Sequence, residues 1–198
     1  ESSIAMDFTI PKPLADLRDN VAAFVRRDVI PFEADPRWGH HGIPEDLRHD
    51  LNKAAKAAGL LGVNSPKEYG GQGFSHIEQA VVFEAAGYSI LGRSAMHCHA
   101  PDEGNIHMLH KVASAAQKQR FLSRLATGEV RSCFAMTEPG PGAGSDPSAL
   151  MTRATPDGNG WRLMGAKHFI SDGLFSDFFL VTAVTDPDAK ARGISLFI

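Results

Sequence analysis

The 198-residue sequence predicts an α+β protein, with an N-terminal all-helical domain over residues 1–130 and an antiparallel β-sandwich or barrel domain over residues 131–198. Two observations predict it. Apolar residues recur at helical spacing through the first part of the chain, and from about residue 130 short strand-like runs alternate with Gly/Pro turns. The two kinds of segment are segregated rather than interleaved, which argues against a βαβ sheet. The last run, Ile194 to Ile198, is β-rich with no turn after it, so the β domain is read as incomplete at its C-terminal end and the chain as a fragment.

Each element has its own signal. Leu14, Leu17, Val21, Phe24, Val25 and Val29 form a first helical stripe that Pro31 ends. Leu47, Leu51, Ala54, Ala55 and Ala58 form a second, started near Pro44 and stopped by Gly59. Ser75 and Glu78 have capping-box spacing for a third helix that closes at Gly87. Arg93 to His110 is helical at its ends and interrupted around Pro101 and Gly104. Ser114 and Gln117 cap a fifth helix that Gly128 closes. Strands are expected at Ser132–Met136, Ala149–Thr155, Trp161–Met164, Lys167–Ser171, Phe178–Val184 and Ile194–Ile198, with Pro156-Asp-Gly-Asn-Gly160 as a turn.

Composition narrows the function classes. With 43% hydrophobic and 22% charged residues the chain can build a real core. A net charge of −3 gives no electrostatic case for nucleic acid or an anionic membrane surface. No apolar run approaches the roughly 20 residues of a membrane span, and Glu1 to Met6 is too short and polar for a signal peptide. Met6 is read as the native start. Cys98 and Cys133 stand alone, which points to a reduced, cytoplasmic protein.

The most unusual segment is Phe134-Ala-Met-Thr-Glu-Pro-Gly-Pro-Gly-Ala-Gly-Ser-Asp146. Its glycines let backbone approach a ligand closely, and Ser145 offers a hydroxyl beside exposed amides, a chemistry suited to phosphate or pyrophosphate. It lacks the Gly-Lys-Ser/Thr of a P-loop, and Pro147 with the β-rich stretch behind it does not open the helix a Rossmann turn needs. Read alone, the loop fits a solvent-exposed turn equally well.

The neighbourhood is more specific. Thr137-Glu-Pro139, Gly144-Ser-Asp146, Thr152-x-Ala154 and Gly165-x-Lys167-x-Phe-Ile-Ser171 resemble, in order and spacing, the pattern of the acyl-CoA dehydrogenase family. Gly59-Leu-Leu-Gly62 and Pro66-x-x-Tyr-Gly-Gly-x-Gly73 are similar to that family's N-terminal domain. Ala100-Pro-Asp-Glu-Gly-Asn105 resembles the subset acting on long-chain and hydroxylated acyl-CoA. The resemblance covers nearly the whole chain. It departs in a loop two residues longer between Pro139 and Gly144, in Phe169 where tryptophan is usual, and in Ser171 where threonine is usual.

The resemblance implies an FAD-dependent acyl-CoA dehydrogenase that removes hydrogens from the α and β carbons of an acyl-CoA thioester in fatty-acid or related catabolism. It implies that Phe134, Ala135, Met136 and Thr137 offer backbone groups and a hydroxyl to the electron-accepting edge of FAD, where donors stabilise developing charge. It implies Gly144 and Ser145 by the pyrophosphate, with Ser145 also by the substrate thioester, Phe169 and Ile170 along the flavin ring, and Ser171 near N5. Phe134 and Met136 fit plain core packing as well, Ser145 fits a turn serine, and Phe169 fits an ordinary strand aromatic. Glu138 is expected to anchor its loop or to meet solvent rather than to act as a base, and Lys167 and Asp172 are expected to be structural.

In the family the base is a glutamate on a C-terminal helical bundle, which no segment of this chain resembles. No catalytic residue is therefore expected within residues 1–198, and the chain alone is expected to be inactive. An electron-transferring flavoprotein as acceptor and a homodimer or homotetramer of the full-length protein are implied in the same way. Two other readings use the same scaffold: a non-catalytic module or subunit, and a flavin monooxygenase or nitroalkane oxidase relative. No metal site is expected: His97 and His99 point to different helix faces, and His107 and His110 have no acidic or cysteine partner at ligand spacing.

Overall fold

The computed structural model describes residues 8–39 and 42–198, so the reading of Met6 as the start lies outside the described residues. The chain divides into two compact units, residues 1–98 and 99–198. The division falls ahead of the change in composition near residue 130, because residues 99–130 are helical yet pack with the sheet.

Unit one is built from α1 (Lys12–Phe24), α2 (Glu45–Ala57), α3 (His76–Ala86) and the short α4 (Gly92–Ala95). α1 runs on through a π turn, Val25–Val29, and a 3-10 turn, Ile30–Ala34, in which Pro31 lies at the start. Val21, Phe24, Leu47, Leu51, Val82 and Leu91 meet in one core, which is why the first two stripes were legible as amphipathic faces. The Ser75–Glu78 capping box forms as its spacing predicts. Arg48 is buried within this core and survives because its charge is answered: it pairs with Glu45 and donates to Asn52 Oδ1 at 2.8 Å. Asn52 then donates to the carbonyls of Ser94 (3.0 Å) and Ala95 (2.8 Å), tying α2 to α4.

Unit two opens with α5 (Asp102–Val112), then α6 (Ala115–Gln117), a π turn at Lys118–Leu122 and α7 (Ser123–Ala126). Gly104, expected to interrupt, lies inside α5 without breaking it; the start is set by Pro101 at the N-cap position. Five strands follow: β1 (Ser132–Ala135), β2 (Arg153–Asp157), β3 (Gly160–Met164), β4 (Phe178–Val184) and β5 (Ile194–Phe197). Their path is β1-β4-β2-β3, with β5 beside β4.

The helical-then-β order is the one the sequence predicts, but the sheet is mixed rather than purely antiparallel. β1 and β4 pair in parallel, Ser132 opposite Phe178 through Ala135 opposite Val181, and Arg153 of β2 meets Val184 in parallel. Parallel neighbours need a long connection, and the stretch 136–177 between β1 and β4 supplies one. Antiparallel pairing is confined to strands with shorter links, β2 with β3 across Gly158-Asn159, and β4 with β5.

Two expected strands differ. Ala149–Thr155 begins its ladder only at Arg153, after a 3-10 turn at Pro147–Ala149 whose cap is Asp146, accepting from the Ser148 amide at 2.8 Å. Lys167–Ser171 is not a strand at all: Phe169 (φ 54°) and Asp172 (φ 62°) sit in the left-handed region, which no ladder accommodates. The segment crosses the end of β1 instead.

One outcome follows for unit one. Leu51 is fully buried, and Leu51→Ala is expected to lower stability by about 2–5 kcal/mol in a urea titration. A loss under about 1 kcal/mol would show that this core does not hold the unit together.

Candidate functional site

The site is built at the C-terminal end of β1. Among the described residues this strand pairs with β4 alone, so backbone groups of alternate residues along its outer edge have no described strand to pair with. Its start is fixed from α5: buried Asp102 accepts from both the amide and the hydroxyl of Ser132, each at 2.7 Å, and Asn105 donates to the same hydroxyl at 2.9 Å. Two residues of the Ala100–Asn105 motif thus act as a clasp on β1. Sequence reasoning found the motif but not this role, because residue spacing does not reveal a contact across 27 or 30 positions.

Beyond Ala135 the chain enters the Gly/Pro loop, and Glu138 organises it. The Glu138 amide donates to Ala143 O at 2.6 Å, closing the loop on itself. The Glu138 carboxylate is buried, with Oε2 accepting from the Met151 amide (2.6 Å) and Oε1 from the Thr152 amide and from Lys167 Nζ (2.9 Å each). These bonds take the two amides that would have started β2 earlier. Gly142 is required here, since a Cβ at that position would lie 2.6 Å from Glu138 Oε2. Burial alone would raise the carboxyl, but bonds from Thr152, Lys167 and the Met151 amide outweigh it and hold Glu138 down at about 2. A carboxylate so saturated with donors is a weak base, in line with an anchoring role.

Lys167 carries the link onward. Its ammonium also donates to Met136 O at 2.9 Å, and the next residue's amide, His168 N, donates to Thr137 O at 3.0 Å. The structure therefore brings Met136 and Thr137 against the segment that bears Phe169, Ile170 and Ser171. Phe169 is 87% exposed, with its ring tilted against that of His168 (ring centroids 4.0 Å apart). Ser171 is exposed and Ile170 half-buried; Phe134, Met136 and Thr137 are half-buried and Ala135 is buried. Gly144 and Ser145 lie on the exposed outer part of the loop. An open groove of about 420 Å³ is lined by Glu138–Pro141, Met151, Thr152, Gly165 and Ala166, around the Glu138 network rather than by the residues expected to touch flavin.

Asp172 fixes the far side of the 169–172 turn. Its carboxylate lies 3.3 Å from Arg131 and 3.6 Å from His99 Nε2. Burial pushes its pKa up, but the neighbouring His99 and the Arg131 charge prevail and hold it below the usual carboxylate range. Lys167 and Asp172 are thus two anchors on either side of Phe169, and the backbone between them is left to face outward. Among the described residues no group of three His, Cys, Asp or Glu side chains could hold a metal ion, and no helix is long and apolar enough to cross a membrane.

Comparison with known proteins agrees with this architecture. Residues 13–129 match the family model "Acyl-CoA dehydrogenase, N-terminal domain" and residues 133–198 match "Acyl-CoA dehydrogenase, middle domain". The mitochondrial long-chain specific acyl-CoA dehydrogenase of Sus scrofa is 34% identical over 183 residues, which is 91% of this chain and 40% of that protein. The structure of butyryl-CoA dehydrogenase from Megasphaera elsdenii superposes with a TM-score of 0.74 at 27% identity, covering 97% of this chain and 49% of that one. The FAD complex of PigA superposes with a TM-score of 0.76 at 26% identity, over 97% and 49%. The chain spans less than half the length of each of these proteins.

The Glu138 network sets a pH dependence. Because its pKa is lower folded (about 2) than in the free side chain (4.5), its contribution is present above about pH 4.5 and is lost as pH falls towards 2. Glu138→Gln is expected to be less stable at neutral pH and to lack this part of the acid-induced loss, measured as unfolding free energy between pH 6 and 2. An identical acid profile for variant and wild type would contradict the assignment.

Proposed function

The chain belongs to the acyl-CoA dehydrogenase family, and on that premise we propose that it forms the flavin-binding part of an FAD-dependent enzyme that dehydrogenates an acyl-CoA thioester at its α and β carbons. The observation that carries this reading is the convergence of two segments at the end of β1. His168 N bonds Thr137 O at 3.0 Å, and Lys167 bonds Met136 O at 2.9 Å, while Phe169 and Ser171 stay exposed beside them. One row of amides and hydroxyls beside an open aromatic face suits the edge and plane of an isoalloxazine.

FAD, when bound, supplies the acceptor for the hydride that leaves the β carbon. The Thr137 hydroxyl and the backbone of Phe134–Thr137 would donate to the edge where charge develops, and the Ser171 hydroxyl would serve the N5 side. Phe169 and Ile170 would hold the ring. Gly144 and Ser145 would hold the pyrophosphate end, where exposed loop amides suit an anion, and Ser145 would also serve the thioester. We assign the catalytic base to a helical domain outside residues 1–198, since the relatives are more than twice as long as the matched region. The boundary near residue 130 is kept for the flavin-holding β domain. An electron-transferring flavoprotein is proposed as acceptor, a homodimer or homotetramer as the assembly of the full-length protein, and the cytoplasm as its location.

The test is an absorption spectrum of the full-length protein, followed by anaerobic addition of a panel of acyl-CoAs. The reading predicts bound FAD whose oxidised absorption is lost with at least one acyl-CoA. A protein without flavin would fit a non-catalytic module instead, and FAD that no acyl-CoA reduces would leave the dehydrogenase assignment without support. Thr137→Val is expected to weaken FAD binding about fivefold, the worth of one hydrogen bond of about 1 kcal/mol. Unchanged affinity and reduction rate would remove the hydroxyl from the site.

A further inference from the structure

A buried ion pair is a poor way to hold a loop shut. Desolvating both charges costs as much as their attraction returns, and well-packed apolar residues do as well or better. Glu138 is nevertheless buried and Lys167 partly so, at 3% and 12% side-chain exposure. Their bonds have a pattern that loop closure alone does not need. Glu138 accepts from Met151 and Thr152, at the entry to β2, while Lys167 reaches past it to the Met136 carbonyl and to Thr182 Oγ1 of β4 (3.4 Å). The pair thus ties together the end of β1, the start of β2, the middle of β4 and the segment after β3. Directional charge-assisted bonds fix one register where apolar contacts would allow sliding.

We propose that Glu138 and Lys167 are positioning residues: a clamp that fixes the register between the end of β1 and residues 168–171, so that the groups on both segments meet a flavin at one set spacing. This rests on the flavin reading above but adds residues that touch no ligand. The alternative is an anchor with no say over the site. The two differ in consequence. An anchor lost weakens the fold evenly, whereas a register lost leaves the fold standing and blurs only the spacing between Thr137 and Ser171. The low carboxyl value of Glu138 keeps that carboxylate charged at neutral pH, as a fixed clamp requires.

Lys167→Met keeps the stem and deletes the charge, and Leu51→Ala, in unit one, gives a variant destabilised elsewhere for comparison. In the full-length protein, Lys167→Met is expected to speed amide exchange at His168 about tenfold, raise the FAD dissociation constant about tenfold, and change the visible circular dichroism of bound FAD at saturation. Leu51→Ala is expected to melt earlier with wild-type FAD affinity and spectrum. Wild-type exchange at His168 in Lys167→Met overturns the clamp whatever FAD does. Faster exchange with FAD affinity and spectrum no different from those of Leu51→Ala overturns its positioning role and leaves the flavin reading intact. A wild-type protein that takes up no FAD sinks the flavin reading, and this inference with it.

Discussion

One buried carboxylate organises the β unit. Glu138 takes two amides and one ammonium as donors, and its own amide closes the loop onto Ala143. Without those partners an ionised side chain so deeply enclosed would be expelled or protonated. With them, it decides where β2 begins, how tightly the Gly/Pro loop turns, and where Lys167 must lie. The position of Lys167 in turn places His168 against Thr137, and the exposed aromatic ring of Phe169 follows from that.

The same logic explains why the site faces outward. The segment 167–172 is pinned at both ends, by Lys167 to Met136 and Glu138 and by Asp172 to Arg131 and His99. Between the pins the chain takes left-handed backbone at Phe169 and Asp172. Left-handed conformations cost free energy for residues other than glycine and persist where the surroundings over-determine them. Here the two ionic anchors do so, and the result is a bulky ring presented outward rather than packed away. The clasp of Asp102 and Asn105 on Ser132 completes the frame by holding the other end of β1.

Much of this was legible in the sequence. The helical stripes, both capping boxes and the change to β structure near residue 130 were carried by local patterns, which local physics enforces. Glu138 was readable, from the family resemblance, as anchoring its loop or meeting solvent, and the structure buries it among donors. The extent of the strands was less legible. Ala149–Thr155 has strand-forming residues, yet the Met151 and Thr152 amides are claimed by Glu138. Lys167–Ser171 reads as a strand by composition, yet its anchors twist it out of any ladder. Parallel pairing of β1 with β4 and the tie from α5 to Ser132 depend on contacts between residues 27 to 47 positions apart, which no local pattern encodes.

The central claim is that the end of β1 and residues 168–171 together form one edge for a flavin. A crystal structure of the full-length protein with FAD tests it most directly. The account predicts the isoalloxazine against Phe169, with its electron-accepting edge within hydrogen-bond distance of the Met136–Thr137 backbone and of the Thr137 hydroxyl. An isoalloxazine seated elsewhere, with Thr137 and Ser171 left in open solvent, would contradict it.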